Sequence, residues 1–230
     1  MIYRCFSAIH SEEEGRPFSA SAISYHQTPL TLFFRGERVL LKQSVPDAQH
    51  EESLSSLAFN IKYGPHYLNI RSTRSFVVPI QPQFHRILFP ECEKQLLLGT
   101  EVHPFGNSIR KAYLCHSKIR SVEPGNVLLF YRSQDHQAIT AIGVVEDTLV
   151  SSDADEIARY VGKRTVYPYT EIQRMAEKPV LALLFRLSRT LETPWPLDLL
   201  ERAGIIKCAP QSFMEVRKEA IGWIADQLGV

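Results

Sequence analysis

Gly106, Asn107, Ser108, Ile109, Arg110, Lys111, Ala112 and Tyr113 follow one another near the middle of the chain, and three of these side chains can handle a flat polar ligand. The Asn107 amide both donates and accepts, so it can match a hydrogen-bonding edge in either sense. Arg110 presents positive charge as a planar fork and Lys111 as a point, which suits phosphate or carbonyl oxygens. The same residues also fit a plainer arrangement, in which Asn107 caps a helix start and the two cations are solvated. Further along, Lys163, Arg164, Tyr167 and Tyr169 interleave cations with rings. That is the composition of a single-strand contact surface, and equally of an ordinary surface loop.

Familiar catalytic patterns are missing. No G-x-G occurs, which removes the phosphate loops of kinases, P-loop enzymes and dinucleotide folds and the pyrophosphate loop of acetyltransferases. Neither G-x-S-x-G nor H-E-x-x-H is present. The four cysteines, Cys5, Cys92, Cys115 and Cys208, are widely spaced without a C-x-x-C pair, and the eight histidines are scattered. No metal, cofactor or disulfide framework is therefore expected. A net charge of +1 with a pI near 7.7 confines any phosphate-gripping surface to a local patch. The first residues turn polar before a signal-peptide core can form, and no apolar run approaches the roughly 18 residues that cross a bilayer. The chain reads as cytoplasmic and reduced, with no membrane partner.

The side chains need elements to hold them. Residues 2–9, 19–25, 30–34 and 38–42 read as strands, the last two joined as a hairpin through Arg35, Gly36 and Glu37. A loop covers 43–52, a short helix opens over 54–59, Tyr63, Gly64, Pro65 and His66 break it, and 67–71 reads as another strand. A boundary at 72–75 then separates a β-rich N-terminal region, residues 1–74, from a second domain, residues 75–230. There, 76–80 is a strand, and Pro82 stands at the first position of a helix that Phe89 and Pro90 stop. Residues 111–116, 126–132 and 138–145 form a meander, the second strand entered through the turn Glu123, Pro124, Gly125, Asn126. Helices follow over 153–160 and 170–177, the latter with Thr170 and Gln173 in capping-box spacing. A buried strand spans 180–187, and a short helix over 197–202 ends at Gly204. The last helix opens at Ser212 with Glu215 three residues on, its apolar stripe being Phe213, Val216, Ala220 and Ile224.

Four stretches, in order, carry a resemblance. They are Val78, Pro79, Ile80 with Gln83, Phe84, His85 and Leu88, Phe89, Pro90, Glu91; the run from Gly106 to Tyr113; Glu123, Pro124, Gly125, Asn126 with Phe130, Tyr131, Arg132, Ser133; and Ile142, Gly143, Val144, Val145, Glu146. This succession resembles the PUA-like superfamily of ASCH and EVE domains, as found in the C-terminal half of some bacterial acetyltransferase-linked proteins, and covers roughly two-thirds of the chain. Asn126 departs from the more usual Pro-Gly-Asp turn, although Asn suits a turn as well.

The resemblance implies an α+β fold: a small PUA-like β-barrel with flanking helices, preceded by the smaller β-rich N-terminal region. It also implies that a modified base or a segment of RNA or DNA is read at the barrel mouth by ring stacking and by hydrogen bonds to the base edge. Asn107, Arg110 and Lys111 then form the reading loop. Tyr131 is the stacking ring, Arg132 beside it a phosphate contact, and His85, in the helix that the family places near the mouth, a donor to base or phosphate. Each has a plainer counterpart. Phe130 and Tyr131 face opposite sides of one strand, so one of them is core; Arg132 can decorate the surface, and His85 can be a solvated helix histidine. The expected function is a nucleic-acid binding module without covalent chemistry. Two readings stay open beside it: an ASCH-type hydrolase of modified nucleosides, with Lys111, Thr140 and Glu146 as its only local candidates, and an inactive acetyltransferase remnant in the first 75 residues. The N-terminal strands either extend the barrel or bind a protein partner.

Overall fold

The computed structural model describes residues 54–65, 67–92 and 108–230, together with three short N-terminal strands. Strands β1 (Ser7–Ala8), β2 (Leu30–Phe34) and β3 (Glu37–Lys42) form an antiparallel sheet in the order β1-β3-β2. Phe34 pairs with Glu37, so β2 and β3 form the expected hairpin, with Glu37 in the ladder rather than in the connection. The strand expected over 19–25, and that over 2–9 apart from β1, lie outside the described residues.

The remainder is built on one mixed sheet. Its strands are β4 (Ser75–Ile80), β5 (Arg110–Cys115), β6 (Val127–Arg132), β7 (Ala138–Ser151), β8 (Val180–Pro196) and β9 (Met214–Glu215). They lie in the order β5-β8-β7-β6-β4-β9, with β4 parallel to β6 and the other pairs antiparallel. Every residue of β6 is buried, as a strand covered on both faces must be. Phe76, Val78, Leu128, Phe130, Leu183 and Phe185 fill the inner face. On the outer face, helices α1 (Ser56–Tyr63), α5 (Leu197–Arg202) and α6 (Lys218–Leu228) cover Val77, Leu129 and Tyr131. Helices α3 (Ala154–Val161) and α4 (Tyr169–Met175) cover Ala112, Leu114, Ala182 and Leu184. Helix α2 (Pro82–Leu88) and the 3-10 turn Pro90–Cys92 close the inner face.

Three register shifts along β7 bend this sheet until its ends approach. Tyr113 on β5 donates from Oη to the carbonyl of Pro79 on β4 at 2.7 Å, joining the far sides through a side chain. Gly143 lies at one of these shifts, and a Cβ there would stand 2.7 Å from Phe185 Cδ2 and 3.2 Å from Phe130 Cε2. The α+β class and the flanking helices are as the sequence predicts, and the ladder itself remains open at both edges.

Several local expectations fail for identifiable reasons. Residues 67–71 form no strand, because Asn69 N–H is taken by Asn60 Oδ1 and Thr73 Oγ1 binds the Asn69 carbonyl, while Leu68 and Ile70 enter the outer core. Packing therefore begins ahead of residue 75. The meander is interrupted by β8, which inserts between β5 and β7. Thr170 lies inside α4, whose cap is Pro168 without a side-chain bond. Residues 214–215 extend the sheet beyond β4, so the last helix starts at Lys218 rather than Ser212, and Phe213 stacks on Phe76 across the inner face. No described helix is long and apolar enough to cross a membrane.

Candidate nucleic-acid interface

Helix α2 lies across one end of the inner face. Pro82 at its start presets the backbone, and the spacing of His85 and Leu88 turns both inward. His85 is fully buried, its ring 5.1 Å from that of Phe89. A buried imidazole needs partners at both nitrogens, and the sheet supplies them. Nε2 is 2.7 Å from Thr140 Oγ1, and Nδ1 is 3.5 Å from Arg132 Nη1. A guanidinium only donates, so Nδ1 accepts and the proton sits on Nε2; Thr140 donates onward to the Phe130 carbonyl at 3.5 Å.

A β-bulge makes this chain possible. Phe130 pairs with Ala141 and Tyr131 with Ile139, which leaves Thr140 without an opposite residue on β6 and turns it toward His85. Arg132, at the end of β6, donates to Asp135 from Nε at 2.9 Å and from Nη2 at 2.7 Å. These bonds hold the Asp135 carboxyl below the usual carboxylate range, and Arg86 adds a second cation at 3.5 Å.

Burial first, and then the neighbouring Arg132 charge, lower the His85 pKa to about 3. The unfolded chain therefore takes up a proton near pH 6.5 that the folded chain refuses until about pH 3. Stability is complete above the upper value and falls through the window between them. Chemical denaturation at neutral pH and at about pH 5 is expected to reveal a loss of about 1.4 kcal/mol per pH unit, absent from His85→Gln.

Lys111 enters the same face from β5. Its side chain is wholly buried, with Nζ 5.7 Å from the centre of the Phe89 ring and 3.5 Å from Glu91 Oε1. Burial pulls its pKa below the ordinary lysine value, against the opposing pull of Glu91. Cys92, next to Glu91, brings Sγ within 3.7 Å of the Thr140 carbonyl, so the turn Pro90–Cys92 joins the lysine to the histidine network. The result is one polar end on an inner face otherwise filled by phenylalanine and aliphatic side chains.

The structure brings together only part of the predicted set. His85, Lys111 and Arg132 share the inner face. Arg132 is not an exposed phosphate contact, and His85 is not a solvated helix residue; each is buried and bonded within the network. Tyr131 is no stacking platform: it is buried under the helices of the outer core, and its hydroxyl has no hydrogen-bond partner. Arg110 follows Ala112 and Leu114 onto the outer face, where its Nε donates to Glu146 at 2.7 Å. Asn107 lies outside the described residues. The hydrolase candidates also separate, because Glu146 is bound by Arg110 and Arg186 while Lys111 faces Glu91. Of the ring-and-cation run, Tyr167 is core against Phe84 and Tyr169 is exposed, with its hydroxyl donating to Asp155. Sequence reasoning missed Glu91 and Asp135. The spacing of Asp135, three residues after Arg132 across a turn, was an available signal.

No protein-family model and no curated protein matches the sequence. Solved structures do match. The ASCH protein of Zymomonas mobilis superposes with a TM-score of 0.50 at 15% identity, covering 66% of this chain and 94% of that one. A single-substitution variant of it gives 0.51 at 14% identity, covering 66% and 95%. Human THYN1, in complex with DNA containing 5-methylcytosine, is more distant, with a TM-score of 0.39 at 12% identity over 69% of this chain and 99% of that one. At such identities the likeness is one of fold: the described domain shares the architecture of the ASCH protein.

Proposed function

We propose that this ASCH-fold domain binds nucleic acid and reads one base at the polar end of its inner face, with Lys111 as the principal contact. The observation that carries the reading is the burial of a lysine ammonium where an aliphatic side chain would serve the fold better. Desolvating a charge costs several kcal/mol, which a chain keeps only where the ammonium is held in a fixed place, here with Glu91 at 3.5 Å. A group held this way is suited to donating to a base carbonyl or ring nitrogen in a site closed to water. The neutral His85 fixes Thr140 and Arg132 around that end.

Fluorescence anisotropy with short labelled single-stranded RNA and DNA, with and without modified bases, tests the proposal. Lys111→Gln is expected to weaken binding by about tenfold or more, the scale of one charge-assisted hydrogen bond in a desolvated site. Tyr131→Phe, which removes only an unpartnered hydroxyl on the other face, is expected to bind as wild type does and to melt at the same or a slightly higher temperature. Equal affinity of the wild type and Lys111→Gln would remove the lysine from the site. The lowered Lys111 pKa also suits a nucleophile or base, so release of free nucleoside from acylated cytidines, lost in Lys111→Gln, would favour the hydrolase reading instead.

A further inference from the structure

Arg110 on β5 and Arg186 on β8 stand directly opposite each other in the ladder. Like charges so placed repel, and a sheet without a use for them is less stable for it. The chain meets the conflict with another bulge. Val145 pairs with Phe185 and Asp147 with Leu184, which leaves Glu146 unpaired on β7 and aims its carboxylate at both arginines. Arg110 Nε donates to the two carboxylate oxygens at 2.7 and 3.1 Å, and Arg186 Nε lies 3.4 Å from one of them. One carboxylate offsets one of the two cations, so the cluster keeps a net positive charge.

Both guanidinium groups face Glu146 with Nε, that of Arg110 hydrogen-bonded to it and that of Arg186 at ion-pair distance without a hydrogen bond. Among the described residues, no hydrogen bond occupies the Nη edge of either. That edge is the fork that matches two oxygens of a phosphate. It is also within reach: the Arg110 side chain is 54% exposed and that of Arg186 27%, while Glu146, at 7%, lies beneath them. The 3-10 turn Gly162–Arg164, which carries Lys163 and Arg164, also packs against β5.

We infer that Arg110 and Arg186, bridged by Glu146, form an oxyanion subsite on the outer rim that takes a backbone phosphate of the bound strand; this rests on the nucleic-acid reading above. Glu146 is a positioning residue: it orients the Arg110 fork by hydrogen bonds and holds Arg186 beside it by charge, without touching the ligand. Arg110 and Lys111 are adjacent on one strand but face opposite ways, so a nucleotide strand crossing the β5 edge can offer a base to one side and a phosphate to the other.

The test measures affinity for labelled single-stranded oligonucleotides from about 50 to 200 mM salt, where each phosphate contact contributes a slope of about 0.7 in log affinity against log salt. Arg110→Gln and Arg186→Gln are each expected to flatten the slope by about that amount and to weaken binding about tenfold. Arg110→Lys should keep the slope but lose affinity severalfold, since an ammonium cannot hold Glu146 and present a fork together. Arg202→Gln, which removes an exposed arginine paired with Asp198 elsewhere, should change neither. If the wild type binds and the slopes of Arg110→Gln and Arg186→Gln match it, the subsite is overturned while the nucleic-acid reading stands. If the wild type binds no oligonucleotide, that reading fails and the inference with it. If inorganic phosphate alone raises the melting temperature in an Arg110-dependent way while the oligonucleotide slopes stay equal, the cluster serves a free anion and the strand assignment is wrong.

Discussion

Arg132→Ala is expected to cost the fold about 3 kcal/mol, read as a lower denaturant midpoint with an unchanged slope. The guanidinium is almost fully buried and, among the described residues, donates to three atoms of two side chains: both oxygens of Asp135 and Nδ1 of His85. Its removal leaves an imidazole nitrogen without that donor and opens a cavity under α2. The estimate stands at the low end for a broken buried pair because the Asp135 side chain is 33% exposed, so water can reach the abandoned carboxylate. Arg132→Met fills most of the volume without the charge and should recover part of the loss. The charge of Arg132 is the second cause of the depressed His85 pKa, so in either variant the acid-sensitive window of His85 should narrow from its lower end.

Gly125→Ala is expected to destabilise by a similar amount for a different reason. Gly125 has φ +91°, a backbone conformation that costs an L side chain roughly 1–2 kcal/mol. An added Cβ would also meet Leu57 N and Ser56 Cβ, each at 2.8 Å, at the first turn of α1. Backbone cannot swing aside as a flexible side chain does, so α1 must shift, at a further cost of about 1–3 kcal/mol. Asn60 of that helix donates to the Gly125 carbonyl at 3.4 Å, so the shift also strains the bond that docks α1 on the turn. A fall in melting temperature of about 2–4 °C per kcal/mol is expected for a domain of this size. Gly222→Ala, in α6 with no atom within 4 Å of its added Cβ, is the matched control.

The elements that were legible in the sequence are those fixed by local chemistry. Pro82 announces α2, the Pro124, Gly125, Asn126 turn feeds β6, and the continuous apolar run at 180–187 marks the first part of β8. Pairing was not legible. Nothing local to 180–196 says that it lies between β5 and β7, and the two residues of β9 owe their strand conformation to the edge of β4 rather than to their own pattern. The capping-box spacing of Ser212 and Glu215 consequently points to a helix that the sheet edge pre-empts.

The site was harder to read for the same reason. Strand alternation puts Phe130 and Tyr131 on opposite faces, but β6 is covered on both, so the pattern alone does not say which ring is accessible; neither is. The bulges at Thr140 and Glu146 break the alternation itself, and they are what deliver one residue to His85 and the other to the two arginines. Lys111 and Arg110 were identified by type and position. Their separation onto two faces follows from period-two geometry once 110–115 is known to be a strand rather than the start of a helix.

Side-chain NMR of isotope-labelled lysine tests the central claim most directly, because a buried ammonium exchanges protons slowly enough to be seen when exposed ones are not. The Lys111 resonance, assigned by its loss in Lys111→Gln, is predicted to shift and stay protected on addition of a bound oligonucleotide. A Lys111 resonance that does not move at saturating oligonucleotide, while signals from surface lysines do, would mean that nucleic acid is held elsewhere and that the inner polar end serves only the fold.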